Sequence, residues 1–513
     1  MNIVFMPINK SGEIEEGTTI LQAARELGVA IESPCGGVRK CGKCKVLVAK
    51  GNDHMLQAEE NELLTEQEIA RGMRLACCCK VKSDMVVMVP NIFAARNNNQ
   101  AQRPVQGKQQ TGGTFGVVVD VGTTTMEVHV VDLHTYQIRK KLKAYNPQIP
   151  YGADVIARIT YAVGKEGREE QLQEVLHHGI DQMIREAVEG VGQSVEEIEK
   201  IVIVGNTTMS YCVSCTSLKS LAKAPFSLLY EGGCFHKASD IGILPETKAK
   251  VFVGPNIGGH VGSDAFAGLL ATGVLGKDGC YLLVDIGTNG EILFSDHGTI
   301  YACSTAAGPA FEGAGLSYGM RAQTGAITKA VVKEKQIVCQ VEGNTSPIGI
   351  SGSGCIDVLA AMLELGILEE TGYLKEQYCF PKGYEVAKNV YLSKEDIRQI
   401  QLAKAAIYAG ILSLLKVAGK RIEEVDQMYL AGAFGSNLDV KNAIAIGLLP
   451  NIPISKVQYV GNAAITGAKE MLRGLENGEE WKQTCKKIQH VELANLDGFQ
   501  ETFIGAINFR SCL

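Results

Sequence analysis

A chain of 513 residues with 46% hydrophobic and 21% charged side chains has room for roughly three or four domains and is globular, which excludes a disordered chain and a cysteine-stapled mini-protein. Its 50 Lys+Arg against 56 Asp+Glu give a net charge of −6, which argues against nucleic acid as the main partner. It has no run of about 18 uninterrupted apolar residues and no charged n-region followed by an apolar h-region, so a cytoplasmic, non-membrane protein is expected. Taken in chain order, residues 1–90 form one compositional unit, with β-like runs at 3–7, 45–49 and 85–89 around a helix at 20–27. Residues 91–114 turn abruptly to Asn, Gln, Arg, Pro and Gly with no acidic residue, the composition of a flexible linker. As a coil its ends would lie on the order of 25 Å apart, and fully stretched it would reach roughly 80 Å, so the first domain is expected to move relative to the rest.

Beyond the linker the sequence is α/β, and it looks duplicated, with one half at 115–275 and the other at 276–513. Apolar strands at 116–123, 201–206 and 251–256 have counterparts at 281–288, 428–433 and 457–462. In each half the third strand leads into an Ala- and Gly-containing helix, at 263–272 and 463–473. Two copies of one α/β unit facing each other across a cleft are the economical reading. The stretch 394–417 carries Ile397, Ile400, Ala403, Lys404, Ile407 and Ile411 at helical spacing and predicts a long amphipathic helix.

Sixteen cysteines are present, and six lie between Cys35 and Cys79, a clustering that points to metal rather than disulfides. Cys35, Cys41 and Cys44 share a glycine-rich loop in the spacing C-x5-C-x2-C, and Cys77 follows 33 positions later. Three thiolates on a wrapped loop plus a distant fourth suit two irons bridged by sulfides, and glycines let the backbone approach. A zinc site of four cysteines is the alternative, but such sites usually pair C-x2-C units. Either Cys78 or Cys79 could replace Cys77. The five-residue gap and Arg74-Leu75-Ala76-Cys77 resemble the adrenodoxin branch of 2Fe-2S ferredoxins, over essentially all of residues 1–90, and that resemblance favours Cys77. Arg39, Lys40, Lys43 and Lys45 lie in the loop with no acidic residue, and Arg71, Arg74, Lys80 and Lys82 flank the fourth cysteine. Such cations would raise the cluster potential above the roughly −400 mV of acidic plant-type ferredoxins and favour an acidic docking partner. Cys212-x2-Cys215 lies in an apolar stretch and is expected in the core; Cys234, Cys280, Cys303, Cys339, Cys355, Cys379, Cys485 and Cys512 show no ligand spacing and are assigned no metal.

Asp120-Val121-Gly122-Thr123-Thr124-Thr125 and Asp285-Ile286-Gly287-Thr288-Asn289-Gly290 each follow an apolar strand and precede another. A carboxylate at a strand end followed by Gly and hydroxyl residues can hold hydrated Mg2+ while backbone N–H groups and hydroxyls cradle phosphates, and two such hairpins would grip a polyphosphate from both sides. The pair resembles the phosphate-binding hairpins of the superfamily of acetate and sugar kinases, actin and heat-shock chaperones. The adenosine loop of that superfamily is matched by Leu430-Ala431-Gly432-Ala433-Phe434-Gly435. Gly352-Ser353-Gly354, opening a helix, are expected to point N–H groups at the nucleotide. Glu312, in a glycine loop, is expected to orient water or magnesium. His260 and Asp264 are candidates for the cleft, although a helix N-cap at Ser263 with Asp264 in the first turn is an equal reading. A Walker-type loop is absent.

A one-electron carrier joined to an ATP-hydrolysing clamp makes sense if nucleotide-driven change enables an otherwise blocked electron transfer. The order of these motifs, including Gly205-Asn206-Thr207-Thr208-Met209, resembles the reductive activators of corrinoid enzymes over nearly the whole chain. The resemblance implies a β-grasp 2Fe-2S ferredoxin domain of α+β class followed by duplicated α/β, ribonuclease-H-like (actin-like ATPase) domains. It implies ATP-dependent reduction of cob(II)alamin to cob(I)alamin on the corrinoid protein of a methyltransferase system, with a ferredoxin or flavoprotein as upstream electron donor and a homodimer left open. Its cofactors would be a 2Fe-2S cluster, ATP and Mg2+. An activator of a radical dehydratase and a nucleotide-binding redox sensor are the alternatives.

Overall fold

The computed structural model describes residues 1–509 except 7–9, 30, 32, 34, 52–55, 90–113, 153, 314 and 433–437. The linker expected at 91–114 thus lies, apart from Thr114, outside the described residues. The chain divides into two compact units, Met1–Ile203 with Thr208–Tyr230 and Phe235–Phe252, and Val204–Thr207 with Glu231–Cys234 and Val253–Leu513.

The first unit opens with β1 (Asn2–Met6), β2 (Lys10–Glu13), α1 (Ile20–Glu26), β3 (Lys45–Lys50), α2 (Ala58–Leu63), α3 (Glu66–Ala70), β4 (Met73–Leu75) and β5 (Met85–Met88). The strands form one sheet in the order β2-β1-β5-β3-β4, with β1 and β5 parallel at its centre. Alternate residues Ile3 and Phe5, Val46 and Val48, and Met85 and Val87 point inward, as a period of two requires, and meet Ile20, Leu21, Ala23 and Ala24 of α1. The Thr19 hydroxyl caps α1 by accepting from the Gln22 amide at 3.2 Å. The elements missing from the sequence reading are β2, α2 and α3, which are short and polar or acidic, and β4, which is only three residues long, so none carries apolar periodicity.

The chain continues with β6 (Phe115–Val121), β7 (Thr125–Asp132), β8 (Ile138–Tyr145), α4 (Val155–Val163), α5 (Arg168–Glu189), β9 (Ile198–Gly205), α6 (Thr207–Val213), β10 (Cys234–Lys237) and β11 (Lys250–Val253), in the sheet order β10-β11-β9-β6-β7-β8. Val117, Val118 and Val119 of β6 are all buried, the continuous apolar run of a strand covered on both faces. Arg25, at the end of α1, joins the two parts of this unit. Its guanidinium donates to the Gly36 carbonyl at 3.0 Å and through Nε to the Pro150 carbonyl at 3.1 Å, and its Cζ lies 4.8 Å and 5.2 Å from the ring centres of Tyr151 and Tyr161. A Cβ on Gly36 would lie 2.9 Å from the Tyr151 carbonyl oxygen, so the two surfaces touch closely.

The second unit holds α7 (Ser263–Thr272), β12 (Cys280–Ile286), β13 (Gly290–Asp296), β14 (Thr299–Thr305), β15 (Ala326–Lys333), β16 (Gln336–Val341), β17 (Gly349–Ile350), α8 (Gly352–Glu364), β18 (Tyr384–Ala387), β19 (Val390–Leu392), α9 (Lys394–Val417), β20 (Gln427–Ala431), α10 (Val440–Ala445), β21 (Val457–Gly461), α11 (Ala463–Arg473), α12 (Gly478–Lys486), β22 (Gln489–His490) and α13 (Phe499–Gly505). Its main sheet runs β21-β20-β12-β13-β14-β22. Five strands thus repeat the order β11-β9-β6-β7-β8, which is the expected duplication; the sixth strand is added at opposite ends, beside β11 in one half and beside β14 in the other. Helix α9 passes a bilayer test by length and hydropathy, but 78% of its apolar window is buried inside the protein, as for a core helix. Within its buried stripe the Lys404 ammonium donates to the Ala506 and Asn508 carbonyls at 2.5 Å each, and burial pulls it down to about 7.

Helices α7 and α11, the equivalent helices of the two halves, pack face to face. A Cβ on Gly467 would lie only 1.8 Å from the Ala267 carbonyl oxygen, and one on Gly268 would lie 3.0 Å from Leu283 of β12. Gly467→Val should therefore lower stability by about 1–3 kcal/mol or more through overpacking, read as a fall in thermal midpoint; an unchanged midpoint would contradict the crossing. Arg25→Ala should raise amide hydrogen exchange at residues 36–37 and 149–152 while leaving the rest of each part protected.

Candidate functional site

The loop between α1 and β3 brings the predicted thiols together in two pairs. Cys35 and Cys41 Sγ lie 3.3 Å apart, and Cys44 and Cys77 Sγ 3.2 Å apart. Cys77 reaches Cys44 because β4 pairs with β3, Leu75 opposite Lys45, and the Ala76 amide then donates to the Cys44 carbonyl at 2.8 Å. Gly36 and Gly42 take φ of +66° and +63°, the left-handed backbone that turns the loop around its thiols. Two thiolates on one tetrahedral metal with bonds of about 2.3 Å lie about 3.8 Å apart, so each pair needs to open by only about 0.5 Å to hold one iron of a two-iron cluster. Cys78 Sγ lies 3.7 Å from Cys77, and burial pushes the Cys79 thiol up to about 11 despite nearby Arg74.

The charge around the loop departs from the sequence reading. Arg74 is buried and bonded by Glu60, Nε to Oε1 at 2.9 Å and Nη2 to Oε2 at 2.7 Å; Lys45 pairs with Glu68 at 2.7 Å and Arg39 with Glu59 at 3.5 Å. These acids stand on or beside α2 and α3, outside the window in which the cations were counted. Three of the eight cations are therefore neutralised, which weakens the expected rise in potential. Lys40 and Lys43 remain exposed.

In the first hairpin, β6 and β7 pair Asp120 with Glu127 and Val121 with Met126. The Gly122 amide donates to Thr125 O at 3.0 Å, Asn146 donates from Nδ2 to Gly122 O at 2.8 Å, and the buried Arg158 donates to the Thr123 carbonyl. Thr124 O accepts from the Asn146 amide at 2.9 Å. Glu127 bonds His129 at 2.7 Å and Lys143 at 2.9 Å; against the opposing effect of burial these hold it down to about 2. Asn146 and Arg158 have no signature in the sequence, since they reach the turn from elements 21 or more residues away.

The second hairpin pairs Asp285 with Glu291 and Ile286 with Gly290, one loop residue tighter than the first, and the Gly287 amide donates to Asn289 O at 3.0 Å. Thr288 Oγ1 donates to Glu312 Oε1 at 2.5 Å, so two predicted residues meet. Gly432, at φ +91°, packs its Cα beside Asp285: a Cβ there would lie 2.7 Å from Oδ1. Ala433, Phe434 and Gly435 lie outside the described residues. Gly352, Ser353 and Gly354 form the first turn of α8, but the Gly354 amide is held by the Ser351 hydroxyl at 3.1 Å, Ser353 donates to Thr328 O at 3.2 Å, and a Cβ on Gly354 would lie 2.1 Å from Ile327 O. Those contacts are a helix cap and close packing on β15.

Asp264 is the residue that the sequence left undecided. The N-cap of α7 is Gly262, wedged against Gly205 and Asn206, and the Ser263 hydroxyl bridges the Gly205 amide and carbonyl at 3.1 Å each, so Ser263 does not cap the helix. That fixes Asp264 in the first turn of α7, close enough to Asp285 for their charges to interact. Burial raises Asp264 to about 6, and burial together with the Asp264 charge raises Asp285 to about 7. Two carboxylates that resist ionising together are a fit donor set for a hard divalent cation. Cys212 is buried as expected; Cys215 is exposed, at φ +53°.

Residues 7–82 match the 2Fe-2S iron-sulfur cluster binding domain family, residues 115–277 the RACo middle region, and residues 279–512 the C-terminal domain of RACo, the ASKHA domain. Fold and matches together define an iron-sulfur protein with an actin-like ATPase region. The corrinoid activation enzyme RamQ of Eubacterium limosum is 32% identical over 432 residues, 79% of this chain and 71% of that one. The Co(II) methylated amine-specific corrinoid protein reductase of Methanosarcina barkeri is 24% identical over 429 residues, 77% of each chain. A solved structure of a reductive activator for corrinoid, iron-sulfur protein matches with a TM-score of 0.71 at 27% identity, covering 99% of this chain and 98% of that one. The chain belongs to the RACo family of corrinoid activation enzymes.

Asp264 and Asp285 set a pH dependence. Their folded-state values lie above the roughly 3.9 of an unfolded Asp, so the stability they contribute is present below about pH 4 and is lost as pH rises through 6 to 7. In metal-free buffer the thermal midpoint of Asp264→Asn should match wild type near pH 4 and exceed it at pH 8; an equal deficit at both pH values would contradict the pairing.

Proposed function

We propose that the protein is a cytoplasmic, ATP-dependent reductive activator that passes one electron from a 2Fe-2S cluster to cob(II)alamin on a corrinoid protein, regenerating the cob(I)alamin that methyl transfer requires. The observation that carries this reading is one chain holding both a four-thiol loop and two aspartate hairpins. Its relatives, named for corrinoid activation and reduction, align over more than three quarters of its length. A ferredoxin or flavoprotein upstream and pairing of two chains belong to the same reading.

Residues 1–90 carry the redox domain, 91–114 the linker, and 115–275 and 276–513 the two ATPase halves. Cys35 and Cys41 hold one iron, and Cys44 and Cys77 the other. The bound cluster supplies a one-electron donor. Exposed Lys40 and Lys43 steer an acidic partner face toward the loop. Asp120 and Asp285, the latter with Asp264, hold Mg2+ of the nucleotide, which relieves the repulsion between Asp264 and Asp285. Gly122, Thr123, Thr124 and Thr125, and Gly287, Thr288 and Asn289, donate to phosphate oxygens, while Arg158 and Asn146 keep the first turn in shape. Thr288 orients Glu312 toward the attacking water. Gly432 to Gly435 receive the adenosine; the turn at Gly352, Ser353 and Gly354 supports the site by seating α8 on β15. Nucleotide favours the conformation in which electron transfer is allowed, because only a ligand that binds one state better can shift the balance.

Asp285→Ala should abolish ATP-dependent activation of a cob(II)alamin-loaded corrinoid protein and leave the visible cluster spectrum intact. Cys77→Ser should remove that spectrum while nucleotide binding persists, and Cys79→Ser should keep it. Full activation by Asp285→Ala, or loss of its spectrum, would overturn the separation of the two tasks.

A further inference from the structure

Away from both sites, the open end of the β12–β13 hairpin gathers a sulfur, a nitrogen and an oxygen donor. Cys280 begins β12 and Asp296 ends β13 as cross-strand partners, and His297 follows in the turn. One donor atom of each lies within 4.8 Å of the others. Cys280 Sγ is 3.5 Å from Asp296 Oδ1, and His297 Nε2 is 3.9 Å from the same oxygen. In a tetrahedral zinc site with bonds of about 2.3 Å to sulfur and about 2.0–2.1 Å to nitrogen and oxygen, neighbouring donors lie about 3.4–3.6 Å apart. The sulfur–oxygen edge already fits, and the nitrogen–oxygen edge needs to close by about half an ångström.

The surroundings favour the same use. His297 Nδ1 is bonded to Asp278 Oδ1 at 2.5 Å, which directs the opposite ring nitrogen, Nε2, toward Asp296. A ring nitrogen bonded to a carboxylate, with the other free to ligate, is the usual support of a metal-bound histidine. The backbone holds the donors in register: the Cys280 amide donates to Asp426 Oδ2 at 2.8 Å, and the His297 amide donates to Gly279 O at 2.9 Å. A thiolate and a carboxylate offer two negative charges to a divalent ion. One cation competes: Lys420 Nζ lies 3.4 Å from Asp296 Oδ1, but it has Glu424 as a second partner at 3.7 Å, to which it can turn. Sequence spacing could not reveal the set, because Cys280 and His297 are 17 positions apart and meet only through the strand pairing.

We propose that Cys280, Asp296 and His297, with Asp278 orienting the histidine, form a site for a borderline divalent cation, zinc foremost, that ties the base of the β12–β13 hairpin. The site is independent of the electron-transfer and nucleotide sites and of the function assigned to them.

The test uses the full-length, cluster-loaded protein, titrated anaerobically with zinc, desalted, and measured for zinc and iron by mass spectrometry and for zinc environment by K-edge X-ray absorption, which the cluster iron does not obscure. About one zinc per chain should remain, with one sulfur neighbour at about 2.3 Å and the rest nitrogen or oxygen. His297→Ala, at a largely exposed position, and Cys280→Ser should weaken zinc binding at least about ten-fold with iron content unchanged, Asp278→Asn about ten-fold, and Lys420→Met should tighten it. Zinc lost on desalting, zinc ringed by four sulfurs as at the cluster thiols, or affinity unchanged in His297→Ala would each overturn the site.

Discussion

The repulsion between Asp264 and Asp285 is the constraint around which the second unit is arranged. Both carboxyls are half-buried; burial raises each of them, and the Asp264 charge further hinders ionisation of Asp285, so the corner they share favours a proton or a cation. The fold makes that corner rigid. Asp285 rides on β12, in the middle of the sheet; Asp264 rides on α7, whose start is wedged by Gly262 against Gly205 and Asn206 and whose body is pressed by α11 at Gly467. Gly432 brings bare backbone up against Asp285.

A different economy governs the redox end. There the two close thiol pairs ask for metal, and the protein tempers the positive surroundings by pairing Arg74, Lys45 and Arg39 with Glu60, Glu68 and Glu59. The loop is also tied outward: Arg25 links its Gly36 carbonyl to Pro150 and stacks on Tyr151 and Tyr161. The loop is thus connected through one side chain to the turn at Pro150–Tyr151 and to α4. This contact ties the cluster loop to residues 150–161 of the same unit.

Much of this was legible because the strongest signals are periodic. The central strands of both halves are unbroken apolar runs, so β6, β9, β12 and β20 could be placed to within a few residues, and α7, α9 and α11 follow from their spacing. The cysteine loop was legible because its ligands are close in sequence. What escaped depends on contacts that spacing cannot encode. Edge strand β2 is Lys-Ser-Gly-Glu, with no apolar alternation to find. The Glu60–Arg74 pair spans a helix and a strand. Asp264 carried two equal readings until the Ser263 hydroxyl proved to be bound to Gly205, and Arg158, a buried cation, reveals its hold on the Thr123 carbonyl only once α4 is in place.

The account stands or falls on whether nucleotide gates the electron. The direct measurement is anaerobic visible absorbance of the reduced, cluster-loaded protein mixed with a cob(II)alamin-loaded corrinoid protein, with and without Mg-ATP. The account predicts the cob(I)alamin band with Mg-ATP and its absence without. The same band at the same rate in both mixtures, or none in either with cluster and nucleotide both bound, would contradict it.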